Sequence, residues 1–242
     1  MSASESLGSR LLQDADVFGL TFWRAPLNLC PSDVLDEVSQ ALATSRDWAH
    51  GRTVSPSTRS ARFCSDVCLN LDRLLYSAAL TRRHIGVDCQ GRRSSGEWLL
   101  DGTWTKDVTP DENMTKKVPA QIYCALECES STSGFDYFMD FCKLLSIKSN
   151  IKLFLAGLDQ ITKRGASLYV ENRVRQSSLL VAQYDSEPCV DWYLAFWPSP
   201  RTVNGHSLWE TIDNEELAHL QSIVLYRYVG GMFHEIGGES AG

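Results

Sequence analysis

Three acidic residues follow two apolar runs of the sequence. Asp101 comes directly after the run WLL, and Glu127 and Glu129 end the segment that begins at Ala120. Side chains two residues apart on a strand point to the same face, so Glu127 and Glu129 are expected to project together while Cys128 turns away. If the two runs pair as antiparallel strands, Asp101 lies opposite the glutamates. The spacing therefore predicts three carboxylates at the edge of a hydrophobic sheet.

Such a cluster needs a compensating charge. Neighbouring carboxylates raise one another's pKa, and burying them costs several kcal/mol unless a proton or a cation compensates. Mg²⁺ takes oxygen ligands, keeps several waters and is typically held by one or two carboxylates together with phosphate oxygens. A metal of this kind polarises a phosphodiester and lowers the pKa of an attacking water. The acids thus predict a Mg²⁺ (or Mn²⁺) site, with Asp101, Glu127 and Glu129 as ligands, for phosphodiester hydrolysis.

Each acid also has a purely structural interpretation. Glu127 would pair with an arginine, and Glu129 would begin a solvated turn with Ser130 and Ser131. Asp101 and Gly102 would form a plain turn, because Asp-Gly is a common turn dipeptide. Any one acid alone is best explained in this way. The three acids in this order, followed by an apolar helix and an apolar strand, favour the metal site.

The elements that position these residues are predicted from hydrophobic periodicity. Helices are predicted at 33–42 with Ser32 as the N-cap, at 65–80, after Ser133, at 170–183, and at 214–229 with Asp213 as the cap. Strands are predicted at 84–89, 96–104, 120–129, 150–158 and 189–200. The polar stretches 53–60 and 105–117 are predicted as loops, the second joining two antiparallel strands.

The order "LLD", then "LECE", then the helix GFDYFMDFCKLLSI and the strand IKLFLAGL resembles the PD-(D/E)XK nuclease superfamily. The resemblance covers residues 66–158 of a chain that we interpret as a single domain, 1–242. It implies an α/β, restriction-endonuclease-like mixed β-sheet core flanked by helices, with N- and C-terminal additions. It further implies Mg²⁺-dependent cleavage of DNA, with Asp101 and Glu127 as the motif's two acids. Glu129 stands where the family more often has lysine.

Because the motif lysine is absent, another lysine would have to take its role. In the family the motif lysine is thought to orient the attacking water or to stabilise negative charge, and some members supply it from a neighbouring element. Lys143 is the candidate here, ahead of Lys148 and Lys152. Helical spacing places Lys143 near Asp136 and Asp140, which is also typical of a solvated helix face. The candidate catalytic residues are therefore Asp101, Glu127, Glu129 and Lys143.

Other acids, aromatic residues and thiols receive structural interpretations. Asp66 and Asp72 would add an acid to the site, although surface positions are favoured for both. Trp192 and Trp197 are expected to pack in the core. The eight cysteines include no C-x-x-C pair, so neither a zinc site nor disulfides are indicated. Cys124 and Cys128 on one strand face, and Cys142 on the apolar side of a helix, are expected to be buried thiols.

Charge and composition restrict which kinds of partner are expected. The net charge of −7 argues against binding nucleic acid by charge alone, yet the segment from Arg46 to Arg93 holds nine arginines and four aspartates. That segment indicates either a phosphate-facing surface, with arginines between 59 and 93 on DNA, or a solvated face. No apolar run approaches a membrane span of roughly 20 residues. A start without a secretory signal favours a cytoplasmic protein.

Two functions of different classes remain open. The first is a Mg²⁺-dependent nuclease that acts on DNA. The second is a nuclease-fold module that no longer cuts and instead binds nucleic acid or a protein partner. Many members of the superfamily act as dimers, so the resemblance allows a homodimer.

Overall fold

The computed structural model describes residues 29–76, 80–84, 100–109, 111, 115, 117–185, 190–203, 206–207, 209 and 222–237. The helices are α1 (Pro31–Ala49), α2 (Pro56–Leu75), α3 (Gly134–Leu145) and α4 (Lys163–Tyr184). The first strands are β1 (Thr81–His84), β2 (Gly102–Val108), β3 (Val118–Glu129), β4 (Ser149–Leu158) and β5 (Asp191–Pro198). They are followed by β6 (Thr202–Val203), β7 (His206–Ser207), β8 (Val224–Val229) and β9 (Met232–Ile236).

Seven of these strands form one mixed sheet in the order β1-β2-β3-β4-β5-β8-β9. β1, β2 and β3 are antiparallel neighbours, and β3, β4 and β5 run parallel. β8 and β9 extend the sheet as an antiparallel hairpin beside β5. Helix α3 connects the parallel pair β3 and β4, and α4 connects β4 and β5, as parallel pairing requires.

Helices cover both faces of the sheet, because its central strands are apolar on both sides. On one face, α1 and α2 bury Val38, Phe63, Val67 and Leu71 against β3, β4 and β5. On the other face, α3 and α4 bury Tyr137, Phe141, Leu144 and Val181 against the same strands. The expected α/β class, with a mixed sheet flanked by helices, is confirmed.

Most of the predicted elements near the candidate site are present. β3 pairs antiparallel with β2, α3 begins after Ser133, and β4 spans the predicted strand. The side chain of Ser133 accepts a hydrogen bond from the Asp136 backbone and so caps α3. Trp192 and Trp197 are buried, as expected of core residues. The predicted helix 170–183 lies within α4, and the predicted strand 189–200 contains β5.

Other predictions were wrong at particular residues. The stretch 53–60 is not all loop, because α2 begins at Pro56 and the Ser55 side chain accepts from the Thr58 backbone N–H. Ser32 lies inside α1 instead of capping it. Residues 105–108 belong to β2, and 224–229 form β8, not a helix. Cys142 is exposed. The predicted segments 85–89, 96–99 and 213–221 lie outside the described residues.

In the part of the chain that the structure describes, no helix combines the length and the apolar character that a bilayer span requires.

Candidate metal centre

Strand β3 extends beyond the start of its neighbour β2. The pairing of the two strands ends at Gly102 and Leu126, whereas Glu127, Cys128 and Glu129 continue to pair with β4 on the other side. Asp101 directly precedes β2, and its Oδ2 accepts a hydrogen bond of 2.8 Å from the backbone N–H of Cys128. The Asp101 carboxylate thus accepts a backbone hydrogen bond from β3 just beyond the point where the backbone pairing of β2 with β3 ends. This contact brings Asp101 beside the segment that carries both glutamates.

Glu127 is the most deeply buried acid of the cluster, with 1% of the residue exposed. Its Oε2 lies 3.5 Å from Nζ of Lys143, whereas its Oε1 has no hydrogen-bond partner among the residues that the structure describes. Burial, followed by repulsion from Asp101, raises the pKa of Glu127 to about 9 against the opposing effect of Lys143. A buried carboxylate oxygen without a partner is costly and therefore marks a position where a cation or a proton is needed.

The pKa of Asp101 is raised as well. Burial is the first cause and the neighbouring thiol of Cys64 the second, and together they raise the pKa of Asp101 to about 8. The Cys128 N–H and Lys143 act in the opposite direction without cancelling the rise. Burial thus favours the protonated forms of Asp101 and Glu127 in the absence of a bound cation.

Lys143 connects α3 to the acids on β3. Its Nζ lies 2.6 Å from Oδ1 of Asp140, which is closer than its contact with Glu127. Burial lowers the pKa of Lys143, but the hydrogen bond to Asp140 and the charge of Glu127 give a net rise. A contact between a lysine and a glutamate ordinarily lowers the glutamate's pKa. Here burial, followed by repulsion from Asp101, outweighs the effect of Lys143 on the pKa of Glu127.

Glu129 lies at the last position of β3 and turns towards the following loop. Its Oε1 accepts from the Ser131 backbone N–H, a local turn of the kind that the structural interpretation describes. Burial is again the first cause of its raised pKa, and Asp140 contributes to the rise. The pKa of Glu129 is therefore influenced by Asp140, while one of its carboxylate oxygens already accepts a hydrogen bond from Ser131.

The loop after β3 lies directly against β4. A Cβ at Gly157 would lie 2.5 Å from the carbonyl oxygen of Ser130, so only glycine fits there without movement. The Ser199 hydroxyl donates to the same carbonyl at 3.0 Å. Ser131 donates to Asp136 at 2.8 Å. These contacts fix the backbone directly after the two glutamates.

Of the four candidate residues, Asp101 contacts the backbone of Cys128, Lys143 contacts Glu127, and Glu129 ends the same strand. The structure adds Asp140, which sequence reasoning considered only as part of a solvated helix face. The signal for Asp140 was its position three residues before Lys143. That spacing predicts contact between the two side chains but not that both face β3.

Other candidate residues have partners elsewhere. Asp66 is buried, accepting from Ser45 and forming an ion pair of 2.7 Å with Arg62, so its predicted surface position was wrong. Asp72 accepts from Trp104 and pairs with Arg82. Lys152 is buried and pairs with Asp185 at 2.8 Å.

The arginines expected to contact phosphates are partly used within the protein. Arg59 is buried, Arg62 pairs with Asp66, and Arg82 pairs with Asp72. Arg73 is exposed on α2. Within the described residues, Arg62 and Arg82 of the predicted basic segment therefore neutralise acids of the protein itself.

The oxygen atoms of Asp101 and Glu127 are donors of the kind that a hard dication prefers. Among the residues that the structure describes, no three His, Cys, Asp or Glu side chains are arranged as a preformed metal-binding group. Mg²⁺ is compatible with fewer protein ligands, since one or two carboxylates with several waters are typical. Asp101 and Glu127 fit that requirement by ligand type, and Glu127 also by its burial and by an oxygen without a partner among the described residues.

Comparison with known proteins matched no family model, no curated protein and no solved structure.

Proposed function

We propose that the protein is a Mg²⁺- or Mn²⁺-dependent nuclease that hydrolyses phosphodiester bonds in DNA on a restriction-endonuclease-like core. The observation that carries this proposal is the buried Oε1 of Glu127, which lies beside Asp101 and has no hydrogen-bond partner within the described part of the chain. The seven-stranded mixed sheet and the helix between its parallel strands are compatible with the resemblance.

In this proposal Asp101 and Glu127 hold the cation, and Glu129 supports it from the end of β3. The cation would polarise the phosphodiester and increase the acidity of a bound water. Lys143 keeps its proton, because its pKa is raised, and its ammonium lies beside Glu127. It is the group placed to orient a water or to stabilise negative charge that develops on the phosphate.

The competing function is a nuclease-fold module that binds nucleic acid or a protein without cutting. Its support is that all three polar groups around Glu127 have internal partners. Asp101 accepts from Cys128, Glu129 accepts from Ser131, and Lys143 pairs with Asp140. A net charge of −7 also suits a protein partner better than a polyanion.

One experiment separates the two functions. Purified protein is incubated with duplex and single-stranded DNA in Mg²⁺, Mn²⁺ or a chelator, beside Asp101→Asn and Glu127→Gln. Glu171→Gln is the matched control, because it makes the same amide change at an exposed position of α4. The nuclease proposal expects metal-dependent cleavage that falls to the chelator level in the two site variants only. Absence of cleavage, together with absence of metal binding by calorimetry, would overturn the nuclease proposal and favour the non-cutting module.

A further inference from the structure

Two arginine side chains lie over the ring of Trp48, near the end of α1. The guanidinium carbon of Arg52, in the loop after α1, lies 5.2 Å from the ring centroid, and that of Arg62, on α2, lies 5.4 Å from it. Both distances are typical of cation–π contacts. The Arg52 backbone N–H also donates to the Ala49 carbonyl at 3.0 Å, which holds the loop close to α1. Trp48, Arg52 and Arg62 are called the arginine–tryptophan surface below.

This surface belongs to a basic segment of an acidic protein. From Arg46 through Arg62 the chain holds four arginines and one aspartate, a net charge of +3. Because the whole chain carries −7, the remaining residues carry −10. Arg52 is exposed, and 22% of the Arg62 side chain is accessible. A local excess of accessible positive charge suits a polyanion, although the charge of the whole chain does not.

The ion pair of Arg62 uses only one part of its guanidinium group. Nε lies 2.7 Å from Oδ2 of Asp66, and the same oxygen accepts from the Ser45 hydroxyl at 2.7 Å. Asp66 is buried, with 4% of the residue exposed, so this acid lies deeper in the protein than the arginine. The two terminal nitrogens of Arg62 take no part in that hydrogen bond. The planar fork of a guanidinium group is well suited to phosphate oxygens.

The arginine–tryptophan surface lies at the same edge of the sheet as the candidate metal centre. Phe63, which follows the second arginine on α2, stacks on Trp197 with ring centroids 4.3 Å apart. Trp197 pairs with Gly157 near the carboxyl ends of β5 and β4. Gly157 in turn packs closely on Ser130, the residue after Glu129. Ligands of open α/β sheets bind at the carboxyl ends of the strands, which is the edge that both regions occupy.

We propose that Arg52 and Arg62, oriented by Trp48, bind the phosphate backbone of DNA beside the candidate metal centre. The contact is with phosphates and not with bases, because the ring that would stack on a base already lies against both guanidinium groups. Binding is therefore independent of base sequence and weakens with salt. This inference rests on the proposed function in its choice of DNA, although a non-cutting module that binds nucleic acid would use the surface equally.

A purely structural role is the alternative. In that role the two cation–π contacts only stabilise the corner between α1 and α2. Substitutions there would lower the free energy of unfolding and leave the affinity for DNA unchanged. The salt dependence of DNA binding separates the two roles, because it counts the protein charges that contact phosphates.

The test is fluorescence anisotropy of a labelled oligonucleotide, single-stranded or duplex, titrated with the full chain in a chelator that prevents metal-dependent cleavage. Titrations are repeated at several NaCl concentrations. The slope of the logarithm of the association constant against that of the salt concentration should fall in magnitude by about 1 in Arg52→Gln. It should fall by about 1 again when Arg62→Gln is added. At about 0.1 M salt each loss should weaken binding about five- to tenfold, because one fewer counterion is released.

Three further variants act as controls. Arg175→Gln removes an exposed arginine from α4, on the opposite face of the sheet, and should bind as wild type does. Arg52→Lys keeps the charge and should keep the salt slope. Trp48→Leu keeps both arginines but removes the ring that orients them, so it should weaken binding without changing the slope.

Urea unfolding of each variant accompanies the binding measurements. Arg62→Gln removes the ion pair of buried Asp66, so Arg52→Gln, at an exposed position, decides the proposal if the double variant is unfolded. Wild-type affinity and slope in folded Arg52→Gln would overturn the proposal. Equal weakening in Arg175→Gln, or absence of wild-type binding at low salt, would overturn it as well.

Cleavage in Mg²⁺ then separates this inference from the nuclease proposal. In a nuclease, Arg52→Gln should raise KM and leave kcat unchanged, because it removes binding that substrate and transition state share. If wild type cleaves while Arg52→Gln binds DNA as tightly as wild type, the nuclease proposal stands and the surface fails. If wild type binds DNA through these arginines but cleaves it with no metal, the surface stands and the nuclease proposal fails.

Discussion

The carboxylate of Asp101 accepts a hydrogen bond of 2.8 Å from the backbone N–H of Cys128, at the point where β2 stops and β3 continues. This contact gives Asp101 a structural role in addition to its proposed role as a metal ligand. The two roles depend on different properties of the side chain. The hydrogen bond needs an oxygen, whereas the cation needs the negative charge.

Asp101→Asn and Asp101→Ala should therefore separate the two roles. Asparagine keeps a carbonyl oxygen for the Cys128 N–H, whereas alanine leaves that donor without its partner. We expect Asp101→Ala to be less stable than Asp101→Asn by about 1–3 kcal/mol in urea unfolding. Both variants should lose Mg²⁺ binding in calorimetry. Wild-type Mg²⁺ affinity in Asp101→Asn would remove this residue from the metal centre.

Glu127→Gln should change how stability depends on pH. The pKa of Glu127 is raised from an ordinary value near 4.5 to about 9, so between these values the folded state holds a proton that the unfolded state releases. The resulting stabilisation is complete below the unfolded pKa and is lost as pH rises towards 9, at up to about 1.4 kcal/mol per pH unit. Glutamine does not titrate, so the free energy of unfolding of the variant should increase relative to that of wild type from pH 5 to pH 9.

The measurement is urea unfolding at several pH values in a chelator. Glu171→Gln is the control, because that exposed residue undergoes the same chemical change outside the cluster. Its stability curve should run parallel to that of wild type. A parallel curve for Glu127→Gln as well would show that Glu127 is ionised in the folded protein.

Gly157→Ala should destabilise the backbone that follows the glutamates. The added Cβ would lie 2.5 Å from the Ser130 carbonyl oxygen. Its nearest neighbours are all backbone atoms of Ser130, which cannot move aside as a flexible side chain would. We expect a loss of about 1–3 kcal/mol, which is typical of overpacking in a core. Gly134→Ala is the matched control, because its nearest contact is 3.4 Å away on the Arg173 side chain. Equal stability of the two variants in urea would contradict this account.

Sequence periodicity predicted the elements that have one clear pattern. β3, α3 and β4 were found because their apolar spacing is unambiguous over ten or more residues. The helix predicted at 214–229 was wrong at 224–229, because the short run VLYRYV suits either a strand or a buried helix. Gly230 and Gly231 take φ of 61° and 98° and form the turn between β8 and β9. That glycine pair was the missed hairpin signal.

The candidate site was predictable only where neighbours in sequence define it. Glu127 and Glu129 share a face because the strand period requires it, and Asp101 follows from pairing of β2 with β3. The contact of Lys143 with Glu127 depends on how α3 packs against the sheet, which no local pattern encodes. The same is true of Lys152, whose partner Asp185 lies at the far end of α4.

Lys143→Met tests whether this lysine takes part in the reaction. Methionine keeps much of the side-chain volume on α3 but removes the ammonium that lies 3.5 Å from Glu127. In the proposed function that ammonium stabilises charge on the reacting phosphate and does not hold the cation. Cleavage should therefore fall by about 10²–10³-fold, the effect of removing one stabilising donor, while Mg²⁺ binding persists. Lys148→Met, at an exposed lysine beyond the end of α3, is the matched control and should cleave as wild type does. Loss of Mg²⁺ binding in Lys143→Met would mean that the lysine serves only to shape the acid cluster. Unchanged cleavage would assign its contacts with Asp140 and Glu127 to stability alone.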